Sequence, residues 1–473
     1  MLRAPFGDLG CFHCWTTEAT YVASDLDLLL RATRIERRID ADAVARHLAW
    51  PEVRSGETCI ENLKELRGGD RLTIAGDRSS EDTVWSPGIF AAQERQIGDA
   101  LEGQHRLRDA VRLAVGGRAA DHERVLLLLS GGFDSSLVAA CLHKAGAAFD
   151  CLNLLACDRE SDEQDYAIAT AAAVDASLRV ERLIPADVDV AISGAAHQPY
   201  PVHRAFTQAQ DRHAHAAMTA MGATAVFDGG GGDNVFFGTR SVSMLADCLH
   251  AGGFDLRFRE ATLALAGLAQ LSAPLLALRA IGRAWLRGAA TRQPLQTPFL
   301  DRDIRRRIGA SPDHPWFRPP KGILPGRAAH LALIVAAQSM TEALNPGAPF
   351  TLISPLASQP VVEAALRIPS WCWLGHGRDR AAARAAFERD LPDAIVRRRS
   401  KGTPAAFVAQ VFETNRVVIR DMLLGGWLAE QRLINALAVE RALAREGPPR
   451  DLGFGPLMSL VDAEAWARAQ LRH

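Results

Sequence analysis

The sequence predicts an α/β protein in which a small α+β unit precedes a doubly wound parallel sheet with a helical carboxy-terminal part. Two observations support this fold class. From residue 125 onward, continuous apolar runs alternate with glycine-rich loops and helical stretches, which is typical of parallel strands buried on both faces. After about residue 240, the periodicity is mainly helical.

The first 95 residues alternate short strand-like runs with one helix. Strands are predicted at 20–23 and 71–74, and a helix at 41–48. A polar, helix-prone connector follows, and the pattern then changes to longer apolar runs. The predicted domains are therefore 1–95 and 96–473.

The second unit begins with strands and helices in alternation. We expect a strand at 125–129, a helix at 135–145, a strand at 151–156, helices at 163–174 and 208–221, and a strand at 223–227. This spacing predicts βαβ units. The apolar stretch 261–278 is interrupted by Gly267, Gln270 and Pro274, so we expect buried helix there rather than a membrane span.

The composition is that of a foldable, nearly neutral chain. Of 473 residues, 48% are hydrophobic, and 54 Lys+Arg against 55 Asp+Glu leave a formal charge of −1. Neither a nucleic-acid partner nor a membrane partner is expected from this balance. The amino terminus has no apolar signal segment, so we expect a cytoplasmic protein. The eight cysteines are scattered, and the lone Cys11-x-x-Cys14 pair does not make a zinc site.

One glycine-rich loop follows the first buried strand and opens a helix: Ser130-Gly131-Gly132-Phe133-Asp134-Ser135-Ser136. Glycines let the backbone approach a ligand, and free N–H groups at a helix start attract anions. The three serines can donate to phosphate oxygens, and Asp134 suits Mg²⁺ beside a phosphate. The Walker A pattern is absent, and an ordinary strand–helix turn with a capping serine is the alternative.

This loop resembles the SGGxDS signature of the PP-loop ATP pyrophosphatases, which bind ATP and transfer AMP to an oxygen nucleophile. A second loop, Asp228-Gly229-Gly230-Gly231-Gly232-Asp233-Asn234-Val235-Phe236, is similar to the SGEGADELF loop of asparagine synthetases. The resemblance implies that Asp134 and Asp233 hold Mg²⁺ against the triphosphate. It also implies a set of ATP-binding residues on the loops and the second strand: Leu129, Ser130, Gly131, Gly132, Asp134, Ser135, Ser136, Leu154, Asp228 and Gly229.

The carboxy-terminal third continues this likeness. Ser354-Pro355-Leu356 with the Glu363 that follows it resembles the SPFLD…VE stretch of asparagine synthetases, and 391–402 resembles their LP…RxK segment. In that family the lysine contacts the acyl-adenylate and pyrophosphate, so the resemblance makes Lys401 catalytic together with Asp134 and Asp233. Lys401 is one of only four lysines in this arginine-rich chain, which favours a specific task over a mobile surface role.

Three differences from the asparagine synthetases change the expected function. Glutamine-hydrolysing relatives carry a nucleophilic Cys at position 2, where this chain has Leu2, and the first 95 residues resemble only the second half of their glutaminase domain. Ammonia from glutamine is therefore not expected. Gly230 stands where the family has a catalytic Glu, and Ser358 stands where SPFLD ends in Asp. These replacements imply an altered acceptor amine and a roomier site.

The chain is most similar to the lasso-peptide cyclases, in the GGGGDN loop, the SPL…SQP stretch and the RDRA…RRSKG tail. The resemblance implies that an Asp or Glu side chain of a leader-free precursor peptide is adenylated by ATP, and that the peptide's α-amine displaces AMP to close a macrolactam. The implied partners are the precursor (core) peptide and the leader peptidase of the same pathway. Conceivable bases for the amine are Asp162, Glu163, His213 and His215, with surface or core roles as the alternative.

Three other functions were weighed against this one. A β-lactam-synthetase-like enzyme also closes a ring with an internal amine, but Gly230 argues against it. A tRNA-modifying PP-loop enzyme needs a basic face, which a net charge of −1 does not favour. A non-catalytic scaffold that binds nucleotide and peptide is the alternative from another class. The presence of Asp134, Asp233 and Lys401 argues against such a loss of activity.

Overall fold

The fold was established from a computed structural model. The structure describes residues 1–7, 9–17, 19–33, 35–76, 78–156, 163–202, 204–291, 293–318, 320–342, 349–375, 377–398, 404–444 and 454–472.

The amino-terminal region contains two small antiparallel sheets and three helices. In the first sheet, β1 (Phe12–Trp15) pairs with β2 (Thr20–Ala23) and β3 (Lys64–Glu65), and in the second, β4 (Asp70–Ala75) pairs with β5 (Arg78–Thr83). The helices are α1 (Leu26–Thr33), α2 (Ala41–Ala49) and α3 (Gly88–Ala91). The predicted strands at 20–23 and 71–74 and the helix at 41–48 are confirmed. Sequence reasoning missed β5 because it is exposed along its whole length and carries no apolar alternation.

A five-stranded parallel sheet lies at the centre of the molecule, as the sequence predicts. Its strands are β6 (Val125–Leu128), β7 (Phe149–Leu155), β8 (Leu178–Arg182), β9 (Ala225–Phe227) and β10 (Leu352–Ile353), in the spatial order β10-β9-β6-β7-β8. The helices around them are α4 (Ala100–Ala119), α5 (Phe133–Lys144), α6 (Gln164–Ala173) and α7 (Thr207–Met221). The chain winds outward from β6 to β8 and then in the opposite direction from β9 to β10. The neighbours β6 and β9 therefore form the topological switch point, where open α/β sheets bind ligands.

Burial explains why these segments become strands. Val125, Leu126 and Leu127 are each no more than 1% exposed, because apolar clusters lie on both faces of β6. Strands β8 and β10 were missed by sequence reasoning. The first is a partly exposed run with three charged residues, and the second has only two residues. Neither carries the continuous apolar signal by which a buried strand is recognised.

The remainder of the chain is mainly helical, as the sequence predicts. The helices are α8 (Gly232–Val235), α9 (Ser243–Gly252), α10 (Leu256–Ala269), α11 (Ala273–Gly282), α12 (Arg302–Ile308), α13 (Pro325–Glu342), α14 (Gln359–Arg367), α15 (Ala381–Ala386), α16 (Asp393–Arg397), α17 (Ala405–Thr414), α18 (Arg416–Leu424), α19 (Trp427–Glu430), α20 (Ala436–Leu443) and α21 (Gly455–Leu471).

The apolar stretch 261–278 differs from the expected buried helix. It is divided between α10 and α11, and Leu263 and Leu278 are 55% and 66% exposed. The break falls at Gln270, whose left-handed backbone (φ 54°) ends α10. Among the described residues, no single helix has the length and hydropathy needed to cross a membrane; the pair Leu256–Ala269 and Ala273–Arg287 meets that requirement only jointly, with a bend of 113° between the two helices.

Two large hydrophobic cores hold the molecule together. The first surrounds the sheet and includes Phe227 and Trp373. The second brings Phe12 and Val44 of the first 95 residues together with Trp466 of α21. Residues on both sides of position 95 therefore share one core. The division into domains 1–95 and 96–473, and the likeness of the first unit to part of a glutaminase, remain predictions.

Candidate active site

The two glycine-rich loops lie against each other at the carboxyl ends of β6 and β9. A Cβ atom at Gly229 would lie 2.6 Å from the backbone nitrogen of Ser135, and one at Gly232 would lie 2.6 Å from Cγ of Asp134. No side chain fits between the loops at such distances, so glycine is required for this approach. The structure thus brings the two predicted loops into one site.

The first loop is shaped for a ligand at the start of α5. Gly131 has φ +79°, and a Cβ there would lie 2.5 Å from the carbonyl oxygen of Glu163. Helix α5 begins at Phe133, and its cap, Gly132, provides no side-chain hydrogen bond. The N–H groups of the first turn are therefore available to an anion. The hydroxyls of Ser130 and Ser135 lie 3.1 Å apart beside them.

Ser136 is placed differently from the prediction. Its side chain is fully buried, and its Oγ lies 3.0 Å from Oγ1 of Thr170. This hydroxyl pair joins α5 to α6 and faces away from the loop surface. Ser136 therefore supports the helix that carries the loop, and its buried hydroxyl contacts Thr170 instead of the pocket.

A pocket of about 620 Å³ opens above the two loops. Its volume lies within the range of small-molecule sites. Of the predicted ATP-binding residues, Gly131 and Ser136 lie behind the pocket wall, and the following line it: Leu129, Ser130, Gly132, Asp134, Ser135, Leu154, Asp228 and Gly229. In total the lining contains four arginines and four carboxylates, including Asp134 and Asp228, so the pocket carries groups for phosphates as well as for cations.

The two predicted metal ligands meet at Arg380, which lies in the RDRA stretch but was given no role by the sequence analysis. Nη1 of Arg380 lies 2.8 Å from Oδ2 of Asp134 and 2.5 Å from Oδ1 of Asp233. The guanidinium is only 6% exposed, and its Nε also pairs with Asp379 at 3.5 Å. Burial alone would lower the pKa of Arg380, but the carboxylates of Asp134 and Asp379 raise it above its usual value. The site therefore contains a fully charged bridge between its two aspartates.

The residues of the site fit a Mg²⁺ ion. Oδ1 of Asp134 is buried and has no hydrogen-bond partner within the described chain, which leaves one hard oxygen open to a ligand. Asp233 supplies a second carboxylate close by. Among the described residues, at this site or at any other, no group of three or more His, Cys, Asp or Glu could hold a metal, so the protein itself offers only this pair of carboxylates. Phosphate oxygens and water would complete the coordination, as is usual for Mg²⁺.

A third strand end contributes Ser354 to the second loop. Asp228 accepts a hydrogen bond from Oγ of Ser354 at 2.5 Å and one from the backbone N–H of Gly230 at 2.9 Å. Burial raises the pKa of Asp228, and these two donors lower it in part. A Cβ at Gly230 would lie 2.5 Å from Oγ of Ser354. Gly230 therefore allows the loop to close tightly around Asp228, and the roomier site expected from Gly230 and Ser358 remains a prediction.

Two further residues of the pocket were not found from the sequence. Arg398 donates from Nη1 to the carbonyl oxygen of Gly131 at 2.9 Å, pairs through Nη2 with Glu163, and stacks 4.1 Å over the ring of Tyr166. Asn153 donates to the carbonyl oxygen of Leu129 at 2.7 Å, and its buried Oδ1 has no partner among the described residues. A single amide inside an apolar strand was a signal that could have identified Asn153.

Several predicted site residues cannot be placed in the pocket. Lys401 and Asp162 lie outside the residues that the structure describes. Glu163 lines the pocket but is paired with Arg398. His213 lies 3.8 Å from Glu181, His215 is exposed, and neither lines the pocket. The structure therefore assigns none of the described candidates as the base for the amine.

The comparison with known families agrees with this geometry. The family model described as asparagine synthase matches residues 106–468, which include both glycine-rich loops, Ser354 and Arg380. A comparison with curated proteins gives no match. The family match points to an ATP-using ligase that forms carbon–nitrogen bonds. Because the match covers most of the chain and contains the whole pocket, the chain belongs to the asparagine synthase family.

Proposed function

We propose that the protein closes a macrolactam ring in a leader-free lasso precursor peptide at the expense of ATP. A side-chain carboxylate of the peptide attacks the α-phosphorus of ATP, the bond to pyrophosphate breaks, and an acyl-AMP forms. The peptide's α-amine then attacks the acyl carbon, loses a proton, and AMP leaves. The observation that carries the adenylation half is the pair Asp134 and Asp233, which meets at the switch point beside the start of α5.

The pocket supplies the groups that the first step needs. Donors at the start of α5 and the hydroxyls of Ser130 and Ser135 face the position of a polyphosphate. Asp134 and Asp233 would hold Mg²⁺, which would supply charge neutralisation for the leaving pyrophosphate. The open Oδ1 of Asn153 offers an acceptor to another part of the nucleotide. The resemblance adds Lys401 as the cation that stabilises charge at the acyl phosphate.

The amino-terminal region supports an amine that arrives with the substrate. Leu2 is 60% exposed and pairs through its backbone with Arg71, so no thiol stands where a glutaminase needs one. Cys11 and Cys14 are free but buried, and burial raises the pKa of both thiols. A buried, protonated thiol is a poor nucleophile. On the resemblance to the lasso-peptide cyclases, we propose that this amine is the α-amine of a precursor peptide released by its leader peptidase in the cytoplasm.

The experiment supplies purified protein with Mg²⁺, ATP and the leader-free peptide encoded nearest its gene. We expect one AMP and one pyrophosphate for each peptide that loses one water by mass spectrometry. Asp134→Asn should abolish both products, because a neutral amide holds Mg²⁺ poorly against a polyphosphate. A peptide with an acetylated α-amine is the matched control, since it blocks only ring closure. Release of ADP and phosphate in place of AMP and pyrophosphate would refute the adenylation mechanism.

A further inference from the structure

We infer that Arg380 is an internal counter-cation that competes with Mg²⁺ for Asp134 and Asp233, and that its guanidinium transfers to the polyphosphate when metal and nucleotide bind together. The inference rests on the ATP site of the proposed function and adds a regulation of that site. It requires neither the peptide substrate nor the ring-closing step.

The geometry shows why the two cations exclude each other. A single nitrogen, Nη1 of Arg380, contacts one oxygen of each aspartate, at 2.8 Å and 2.5 Å. A Mg²⁺ ion held by these same two oxygens would need the space between them, which this nitrogen fills. The guanidinium would therefore have to release at least one of these oxygens before a metal could take both.

The surroundings favour the arginine until another anion arrives. Arg380 is buried, and its guanidinium lies 5.4 Å from the ring centre of Phe133. A buried guanidinium that loses its carboxylates without gaining a new partner is left as an unpaired buried charge, which is strongly unfavourable. Metal alone is therefore a weak competitor for the two aspartates. A polyphosphate supplies that partner, because guanidinium groups bind phosphate oxygens with good geometry. The pocket that opens beside Arg380 is the one lined by both glycine-rich loops.

The backbone conformation of Arg380 indicates that the fold holds this residue in a fixed place. It adopts a left-handed conformation (φ 53°), which is uncommon for a side-chain-bearing residue, immediately before α15. Asp379 remains within 3.5 Å of its Nε and can hold the guanidinium near the loops while Nη1 changes partners. An arginine at this position presents its positive charge on a planar group that can contact several oxygens at once.

The test measures Mn²⁺ binding without nucleotide, from the electron paramagnetic resonance signal of the free ion. We expect Arg380→Gln to lower the dissociation constant for Mn²⁺ at least about tenfold relative to the unmodified protein, because the competitor for two charged contacts is removed. The matched control is Arg204→Gln, which removes the same charge from the lining of the same pocket. The substitution Arg204→Gln should change the dissociation constant for Mn²⁺ by less than about threefold, since a partly screened charge acts weakly at a distance.

The double variant Asp134→Asn, Arg380→Gln should lose the gain in affinity for Mn²⁺ that Arg380→Gln shows, because one of the two carboxylates is then neutral. Equal affinities of the unmodified protein and Arg380→Gln would overturn the competition. An equal gain from Arg204→Gln would show a general effect of charge and overturn it as well. If Arg380→Gln unfolds, as circular dichroism would show, Arg380→Met provides the same comparison.

A calorimetric titration tests the transfer of the guanidinium to phosphate. At Mg²⁺ concentrations that saturate both proteins, we expect Arg380→Gln to bind a non-hydrolysable ATP analogue about tenfold more weakly than the unmodified protein, because the competition for the carboxylates is then already overcome and only the charged phosphate contact is lost. An unchanged affinity would overturn this part of the inference. Neither measurement uses a peptide. A protein that passes both tests and closes no ring would refute the proposed function while the role of Arg380 stands.

Discussion

The contact between the two loops can be tested by adding one methyl group to it. In Gly232→Ala the new Cβ would lie 2.6 Å from Cγ and 2.7 Å from Oδ1 of Asp134. These distances are far inside van der Waals contact, so the carboxylate has to move. Gly232 begins α8 without a positive φ, and alanine is compatible with its backbone. The substitution therefore displaces Asp134 rather than refolding the loop.

The size of the effect follows from the contact that is lost. When Asp134 moves, its carboxylate leaves the position in which it would hold Mg²⁺ beside Asp233. A contact between charged groups contributes about 1.5–3 kcal/mol, and its loss corresponds to a decrease of roughly tenfold to a hundredfold in affinity for Mg²⁺ and ATP. We expect the dissociation constant for a non-hydrolysable ATP analogue with Mg²⁺ to rise by that factor in a calorimetric titration. The free energy of unfolding in urea should fall by about 1–3 kcal/mol.

Gly117→Ala is the matched control for this substitution. Gly117 lies inside α4, and a Cβ there would meet no atom within 4 Å. Alanine is favoured over glycine in a helix, so the control should gain about 1 kcal/mol in the free energy of unfolding and bind the ATP analogue unchanged. If Gly232→Ala bound the ATP analogue with the affinity of the unmodified protein, the reasoning would be refuted. That result would show that the added methyl group does not displace the carboxylate of Asp134.

Three further predictions concern the amine source, the second loop and the proposed lysine. Glutamine and ammonium salts should not change turnover, because Leu2 replaces the nucleophile; glutamate released from glutamine would contradict this. Ser354→Ala should lower the free energy of unfolding by about 1.5–3 kcal/mol at pH 8 and by less at pH 4. The reason is that the hydroxyl of Ser354 donates a hydrogen bond that stabilises the ionised form of Asp228, whose pKa is raised by burial. Ser358→Ala, which removes a buried hydroxyl without a partner in the described structure, should be close to neutral at both pH values, and equal losses in the two variants would count against the argument. Lys401→Arg should lose macrolactam formation by mass spectrometry, since a planar guanidinium does not reproduce a compact ammonium; near-normal yield would disprove that role.

The sign of the pH effect at Asp228 follows from its environment. Burial favours the neutral carboxyl, so its pKa in the folded protein lies above that in the unfolded chain. The folded state then binds more protons between the two pKa values, and stability falls as the pH rises through that window. The hydroxyl of Ser354 opposes this loss by donating to the ionised form. Its removal should therefore be felt mainly at pH values above the pKa of Asp228.

Local sequence signals determined the parallel sheet and the position of its first loop. The run 125–129 is apolar throughout, and a buried parallel strand has few other ways to appear in a sequence. The sequence predicted that glycines let the backbone approach a ligand, and the structure shows in addition that Gly131 and Gly229 allow two backbone segments to meet, since a Cβ at either position would clash with a neighbouring backbone atom. The meeting of Asp134 and Asp233 was also predictable, because the carboxyl ends of neighbouring parallel strands share one edge of the sheet.

Tertiary structure alone decided which cation lies between the aspartates and which serine faces the pocket. Arg380 is about 150 positions from Asp233 along the chain, and no local pattern records a contact over such a separation. Ser135 and Ser136 are adjacent and chemically alike, yet the turn of α5 directs one to the pocket and the other to Thr170. A helix rotates successive side chains by about 100°, so the sequence determines that neighbours diverge, whereas the packing of α6 determines which one is buried.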